Sequence, residues 1–165
     1  MTSPATTLAD LDAQTETYDT GSDLRIHATS IEHFGRELAQ RLQRVQGDPA
    51  EAEPLKPILL AVPAIHVRAL LRAAEKIDDE GSPRGAMHLL VEALHCAFDA
   101  DRVTQVADAL GFMLVAYQQR TAAEKLDALL SLDPALPRRE RRERHLDLVE
   151  QLTDAIDWGA LAVVS

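Results

Sequence analysis

The stretch that decides the fold is SPRGAMHLLVEALHCAF, at residues 82–98. Its apolar residues recur every three or four positions, which is the period of one buried face of an α-helix. Ser82 is a typical N-cap, and Pro83 suits the first helical position, where its missing N–H costs little. We therefore predict a helix from Pro83 to about Phe98, with these residues facing inward: Ala86, Leu90, Ala93, Leu94 and Ala97.

The same apolar period continues on both sides of this stretch. It predicts a leading helix at about residues 31–45 with Ser30 as its N-cap, and further helices at about 65–77, 102–118, 121–132 and 138–156. Alanine and leucine are abundant and favour helices, whereas aromatic residues make up only 4% of the 165 residues. We predict an all-α fold in which antiparallel helical hairpins stack as a short solenoid or a bundle.

Composition divides the chain into a tail and one domain. Residues 1–22 are rich in Thr, Asp and Ser, which predicts a flexible N-terminal tail with at most a short helix near residues 8–15. Residues 23–165 are predicted to form a single helical domain. Within it we expect the leading helix at 30–46, a proline-rich linker at 47–57, a helical-hairpin core at 58–135 and a C-terminal capping helix at 138–157. Pro63 is expected in the first turn of the helix that follows the linker.

Two consecutive helix pairs repeat a pattern of small and apolar residues. Small residues allow two antiparallel helices to approach closely, and larger aliphatic residues fill the groove against the next pair. The motif Leu110-Gly111-x-x-Leu114, followed by Ala122, Leu126, Leu129 and Pro134, resembles tetratricopeptide repeats, whose period is ~34 residues. The resemblance covers about residues 67–135. The other interpretation of the same pattern is a generic antiparallel helical bundle.

This resemblance implies a concave groove that binds an extended peptide or a partner helix. The function it implies is a non-enzymatic protein–protein interaction module: an adaptor, a chaperone-like protein or an assembly subunit. We expect no cofactor and no catalytic residue. The partner is expected to be another protein or a peptide, with a homodimer as a further candidate. Residues on the exposed helix faces are the predicted partner-binding set: Arg68, Arg72, Glu75, Gln105, Asp108 and Tyr117.

Trp158, the single tryptophan, follows the last predicted helix and precedes an apolar C-terminal segment. One interpretation is a cap over the end of the bundle. The other is an anchor residue in an interface with a partner or a second copy, because tryptophan is enriched at such positions.

The charge of the chain argues against two classes of partner. A net charge of −10 repels phosphate backbones and anionic lipid headgroups. The basic run Arg138–Arg144 is the candidate for nucleic-acid contact, but its interleaved glutamates favour an exposed helix face instead. A single cysteine excludes an intrachain disulfide and fits a reducing compartment. The N-terminus lacks the apolar core of a signal peptide, and no stretch is expected to reach the length of a transmembrane helix, so we expect a cytoplasmic protein.

One group of residues supports an alternative function. His88, Glu92, His95 and Asp99 share one stripe of the predicted helix, and Glu92-x-x-His95 has the spacing of metal ligands in di-iron bundles. A second pair with this spacing is missing from the other predicted helices. The alternative is therefore a metal-binding helical-bundle enzyme or sensor that uses His88, Glu92 and His95, with Cys96 as a neighbour that favours zinc. The plainer interpretations are a solvated face of paired histidines and acids, and a buried, unreactive cysteine.

Overall fold

The computed structural model describes residues 2–161, and that part of the chain is helical and contains no strand. The all-α class is therefore confirmed, with the helices packed against one another. The elements are α1 (Pro4–Gln14), α2 (Gly21–Arg44), α3 (Pro49–Ala52), α4 (Leu55–Asp79), α5 (Pro83–Ala100), α6 (Val103–Ala116), α7 (Arg120–Leu130), α8 (Arg138–Ala155) and a final 3-10 helix (Trp158–Leu161).

The core is built around α4 and α5. The long helix α4 packs against both α2 and α5, and α1 lies across α2 and α4. The chain then continues through neighbouring helices, with α6 on α5, α7 on α6 and α8 on α7. Helix α8 also returns to α5, so α5 contacts helices from both halves of the chain.

Helix α5 agrees closely with its prediction. It begins at Pro83, and the Ser82 hydroxyl accepts a hydrogen bond from the Gly85 backbone N–H at 3.3 Å. This bond satisfies one of the N–H groups that have no partner inside the helix. The five residues predicted to face inward are all buried: Ala86, Leu90, Ala93, Leu94 and Ala97.

The N-cap of helix α2 is Thr20, ten residues before the predicted N-cap Ser30. The Ser30 hydroxyl instead donates to the Ile26 carbonyl inside the helix, at 3.2 Å. The apolar stripe extends backwards through Leu24 and Ala28, both of which are buried. Burial of this extra stripe favours a longer helix than the sequence interpretation allowed.

The N-terminal segment also differs from the expected flexible tail. Residues 4–14 form α1, which is capped by the Ser3 hydroxyl and buries Leu8. Arg68 on α4 donates to the Asp12 carboxylate at 2.6 Å and also bonds Glu16. One buried leucine and these ion pairs therefore attach a polar segment that composition alone describes as mobile.

The expected linker at residues 47–57 is mostly helical. Pro49–Ala52 forms α3, and α4 begins at Leu55 and continues through both Pro57 and Pro63. Pro57 lies in the first turn, where N–H groups have no helical partner. Pro63 was predicted in the first turn of a helix, but it lies inside α4. Because proline has no backbone N–H, the Leu59 carbonyl has no hydrogen-bond donor at this position. Packing of α4 against α2 and α5 offsets this loss.

The segment Pro49–Asp79 is long and apolar enough to cross a membrane by length and composition, with a mean hydropathy of 1.5 over its best window. The expectation that no stretch reaches this length is therefore wrong. The cause is the continuity of α4 through Pro63, which joins two apolar runs that were read as separate. The core helix of a soluble protein passes the same test, and α4 contributes buried residues such as Val67 and Leu70 to the core.

The end of the described chain covers one end of α5. The Trp158 indole N–H donates to the Thr153 carbonyl at 3.3 Å, and its ring stacks on His88 with a centroid distance of 3.9 Å. Leu161 is buried against the core. These contacts are those expected of a cap. The rest of the apolar C-terminal segment, beyond Leu161, lies outside the described residues.

Candidate metal centre

Three helices bring together two carboxylates and one imidazole, of which the imidazole is buried, one carboxylate half-buried and the other exposed. Glu32 lies on α2, His66 on α4 and Glu92 on α5. One donor atom from each residue lies within 4.8 Å of the other two. This combination of oxygen and nitrogen donors is one that proteins use to bind transition-metal ions.

Close packing of α2 on α4 places these side chains near one another. A Cβ atom on Gly35 would lie only 2.9 Å from Cγ1 of Val62, so glycine permits the helices to approach at this point. Glu32 precedes Gly35 by almost one helical turn, and His66 follows Val62 by one turn. The glycine therefore sets the spacing across which Glu32 and His66 face each other.

The imidazole of His66 is the most informative member of the group. Its residue is only 6% exposed, and its Nε2 atom has no hydrogen-bond partner among the described residues. A buried polar atom without a partner typically costs about 1–3 kcal/mol. Such an atom requires an explanation, and an ion bound by it is one of the usual ones.

The electrostatics of the group favour a bound cation. Burial lowers the pKa of His66, against the opposing effect of the Glu32 charge, so its imidazole is neutral and retains a lone pair. Burial also raises the pKa of Glu92, and the negative charge of Glu32 raises it further. Two neighbouring carboxylates repel each other electrostatically, and a divalent cation between them removes this repulsion.

The geometry is compatible with one ion. Zinc–nitrogen and zinc–oxygen bonds are about 2.0–2.2 Å long, so two donors of one ion lie roughly 3–4 Å apart. Side-chain movements of about 1 Å therefore suffice to bring donors at the observed separation onto a single ion. Three protein ligands leave at least one coordination position for another molecule, as in zinc sites that perform catalysis.

A cleft of about 360 Å³ is lined by two of the three ligands, Glu32 and His66. Cys96 and His95 line the same cleft. Burial, together with the nearby charge of Glu92, raises the pKa of the Cys96 thiol to about 11. Cys96 is therefore a neutral thiol in this structure, which agrees with the expectation of an unreactive cysteine.

The structure separates the three residues predicted as metal ligands. Glu92 belongs to the group with Glu32 and His66, whereas the His88 ring is stacked on Trp158. His95 lines the cleft and also a groove between α5 and α8. His88, Glu92 and His95 therefore share one face of α5, as predicted, but each side chain contacts different neighbours.

The predicted partner-binding residues are divided in the same way. Arg68 pairs with Asp12 of α1, and both Arg68 and Arg72 pair with Glu16 just after α1, which leaves less of α4 open to a partner. The other four side chains are exposed, on α4, on α6 or at the end of α6: Glu75, Gln105, Asp108 and Tyr117.

The basic run at the start of α8 is engaged with the protein itself. Arg142 donates two hydrogen bonds to Asp99, both at 2.9 Å, and hydrogen bonding from Arg142 lowers the pKa of Asp99. The Arg138 guanidinium lies 4.8 Å from the centre of the Phe98 ring. This arrangement resembles the expected exposed, charge-paired helix face.

The sequence interpretation missed Glu32 and His66. Both lie on helices other than α5, so no spacing along the chain connects them to Glu92. The signal that was available is the position of His66 inside the otherwise apolar run of α4, where a lone histidine is unusual.

Comparison of the chain with protein-family models, with characterised proteins and with solved structures gave no match.

Proposed function

We propose that this protein binds one divalent transition-metal ion through Glu32, His66 and Glu92. The observation that carries the proposal is the buried Nε2 atom of His66, which has no hydrogen-bond partner among the described residues, on an imidazole that has a donor nitrogen within 4.8 Å of a carboxylate oxygen of both Glu32 and Glu92. A packing role for His66 leaves this atom without a partner, and a metal bond supplies one. The proposal keeps Glu92 from the predicted ligand set and replaces the two histidines of α5.

The ligand types indicate which metals fit. An imidazole with two carboxylates suits Zn²⁺, Fe²⁺, Co²⁺ or Mn²⁺. Mg²⁺ and Ca²⁺ prefer oxygen ligands throughout, so His66 disfavours them. Cu(I) prefers soft sulfur ligands, and the three proposed ligands supply only nitrogen and oxygen.

Direct titration with Co²⁺ or Zn²⁺ tests the proposal. We expect the full chain to bind one ion, and Glu92→Gln to weaken binding by at least about tenfold, since even residues outside the ligand set typically contribute 10–100-fold. Isothermal titration calorimetry and the visible absorption of bound Co²⁺ provide two independent measurements.

A matched control is Glu150→Gln, which removes an exposed carboxylate from α8 in the groove beside Glu92. It should leave Co²⁺ affinity unchanged. Equal weakening by both variants would indicate diffuse attraction to an acidic surface, and the proposed centre would then be wrong.

We also propose a second function, a protein-interaction role, because a different surface favours it. Phe112 and Val115 on α6 are 77% and 72% exposed and lie almost one turn apart on the same helix. An exposed aromatic residue next to an exposed aliphatic one is typical of an anchor in a protein interface. This role corresponds to the interaction module implied by the repeat resemblance, with the contact on α6.

Affinity capture with quantitative mass spectrometry tests this second role. We expect Phe112→Ser to reduce retention of a specific partner by at least about tenfold, which is the usual effect of losing an aromatic anchor. Leu60→Ser is the control, because Leu60 is equally exposed but lies on α4. Equal retention by the wild type and by Phe112→Ser would contradict the role.

A further inference from the structure

The cleft that Glu32 and His66 line has both charged and apolar lining residues. Leu59, Val62 and Pro63 of α4 form its apolar wall, and Arg36 of α2 lies on the same cleft as Glu32. The cleft volume of about 360 Å³ accommodates a small organic molecule.

The two arginines of the cleft are in different states. Arg142 is held by both carboxylate oxygens of Asp99, which also lines the cleft, so its charge is balanced locally. Arg36 forms an ion pair with Glu32, and its side chain is otherwise 71% exposed. Arg36 therefore shares its counter-charge with the proposed metal site.

Metal binding changes this balance. The charges of Glu32 and Glu92 together match those of a divalent ion, and His66 is neutral. Once Glu32 ligates the ion, the guanidinium of Arg36 loses the charge that balanced it. A metal with three protein ligands also has an open coordination position. With metal bound, the cleft therefore contains a Lewis acid, which is the metal ion, and a free positive charge, which is the Arg36 guanidinium.

We propose that the metal-loaded cleft binds a small monocarboxylate with a short apolar chain, whose carboxylate bridges the open metal position and Arg36. This inference rests on the proposed metal function. The apolar chain lies against Leu59, Val62 and Pro63. Guanidinium and metal both favour a carboxylate oxygen, and the apolar wall distinguishes an organic anion from an inorganic one.

According to this proposal, Arg36 competes with the metal ion for the Glu32 carboxylate. Once the metal is bound, Arg36 binds the added carboxylate instead. Arg36→Gln should therefore shift two affinities in opposite directions. Metal affinity should rise several-fold, because Glu32 no longer has to leave a cationic partner. Carboxylate affinity should fall by about tenfold or more, because a charge-assisted hydrogen bond is lost.

The experiment uses the full chain loaded with Co²⁺ and titrated with butyrate, chloride or sulfate while the visible spectrum is recorded. We expect butyrate to change the spectrum at lower concentration than the two inorganic anions. Arg139→Gln is the control, since Arg139 is 93% exposed on α8 and pairs only loosely with Glu143 at 3.6 Å. It should match the wild type in both titrations.

Three results would overturn the inference while leaving the metal site intact: a Co²⁺ spectrum insensitive to butyrate, no preference for butyrate over chloride and sulfate, or unchanged butyrate affinity in Arg36→Gln. Failure of the wild-type chain to bind Co²⁺ is a separate result, seen before any anion is added. It would overturn the proposed function and this inference with it.

Discussion

Leu94→Ala should lower the free energy of unfolding by about 3–4 kcal/mol, within the range of 2–5 kcal/mol typical of buried leucines. Leu94 is 0% exposed and lies on α5, the helix that contacts both halves of the chain. The change removes apolar surface and leaves a cavity that close-packed neighbours cannot fill. Urea denaturation followed by circular dichroism measures the difference.

The matched control is Leu60→Ala, the same chemical change at a leucine that is 79% exposed on α4. It should alter the free energy of unfolding by less than about 0.5 kcal/mol. If Leu60→Ala cost as much as Leu94→Ala, this face of α4 would have to be covered in solution, and the described packing would be incomplete.

The inward face of α5 illustrates what the sequence could predict. Burial forces apolar residues onto one side of a helix, so their spacing records both the helix and the face. Ser82 and Pro83 marked its start because capping is a local interaction between neighbouring residues. The all-α class and the position of Leu94 both followed from this local physics.

Helix α4 shows where such reasoning failed. Proline lowers helix stability locally, and Pro57 and Pro63 were therefore read as a break and a helix start. Helix α4 continues through both prolines, because one face of it packs against α2 and α5. Tertiary packing outweighed a local preference, and the sequence alone does not show which neighbours supply that packing.

The candidate metal centre was only partly predictable for a related reason. Spacing along one helix could identify Glu92, since its neighbours on the same face are fixed by helical geometry. Glu32 and His66 come from helices whose relative position depends on the close contact of Gly35 with Val62. The ligand set therefore exists only at the level of tertiary structure.

A change at His66 should separate stability from function. Without metal, His66→Leu should leave the free energy of unfolding unchanged or raise it by about 1 kcal/mol, because a buried nitrogen without a partner is replaced by an apolar group. The same variant should lose its response to metal. Zn²⁺ at about 100 times its Kd should stabilise the wild type by about 2.7 kcal/mol and the variant by almost nothing.

The control for this prediction is His27→Leu, because His27 is also buried but its Nε2 atom bonds the Thr15 hydroxyl at 3.0 Å. That variant should lose about 1 kcal/mol of stability and keep the response to Zn²⁺. Denaturation curves with EDTA and with Zn²⁺ measure both effects. Since most substitutions of buried residues destabilise, a stabilising change that abolishes metal binding would show that His66 is retained for the ion it binds. A loss of stability in EDTA, with the metal response intact, would instead make His66 a packing residue.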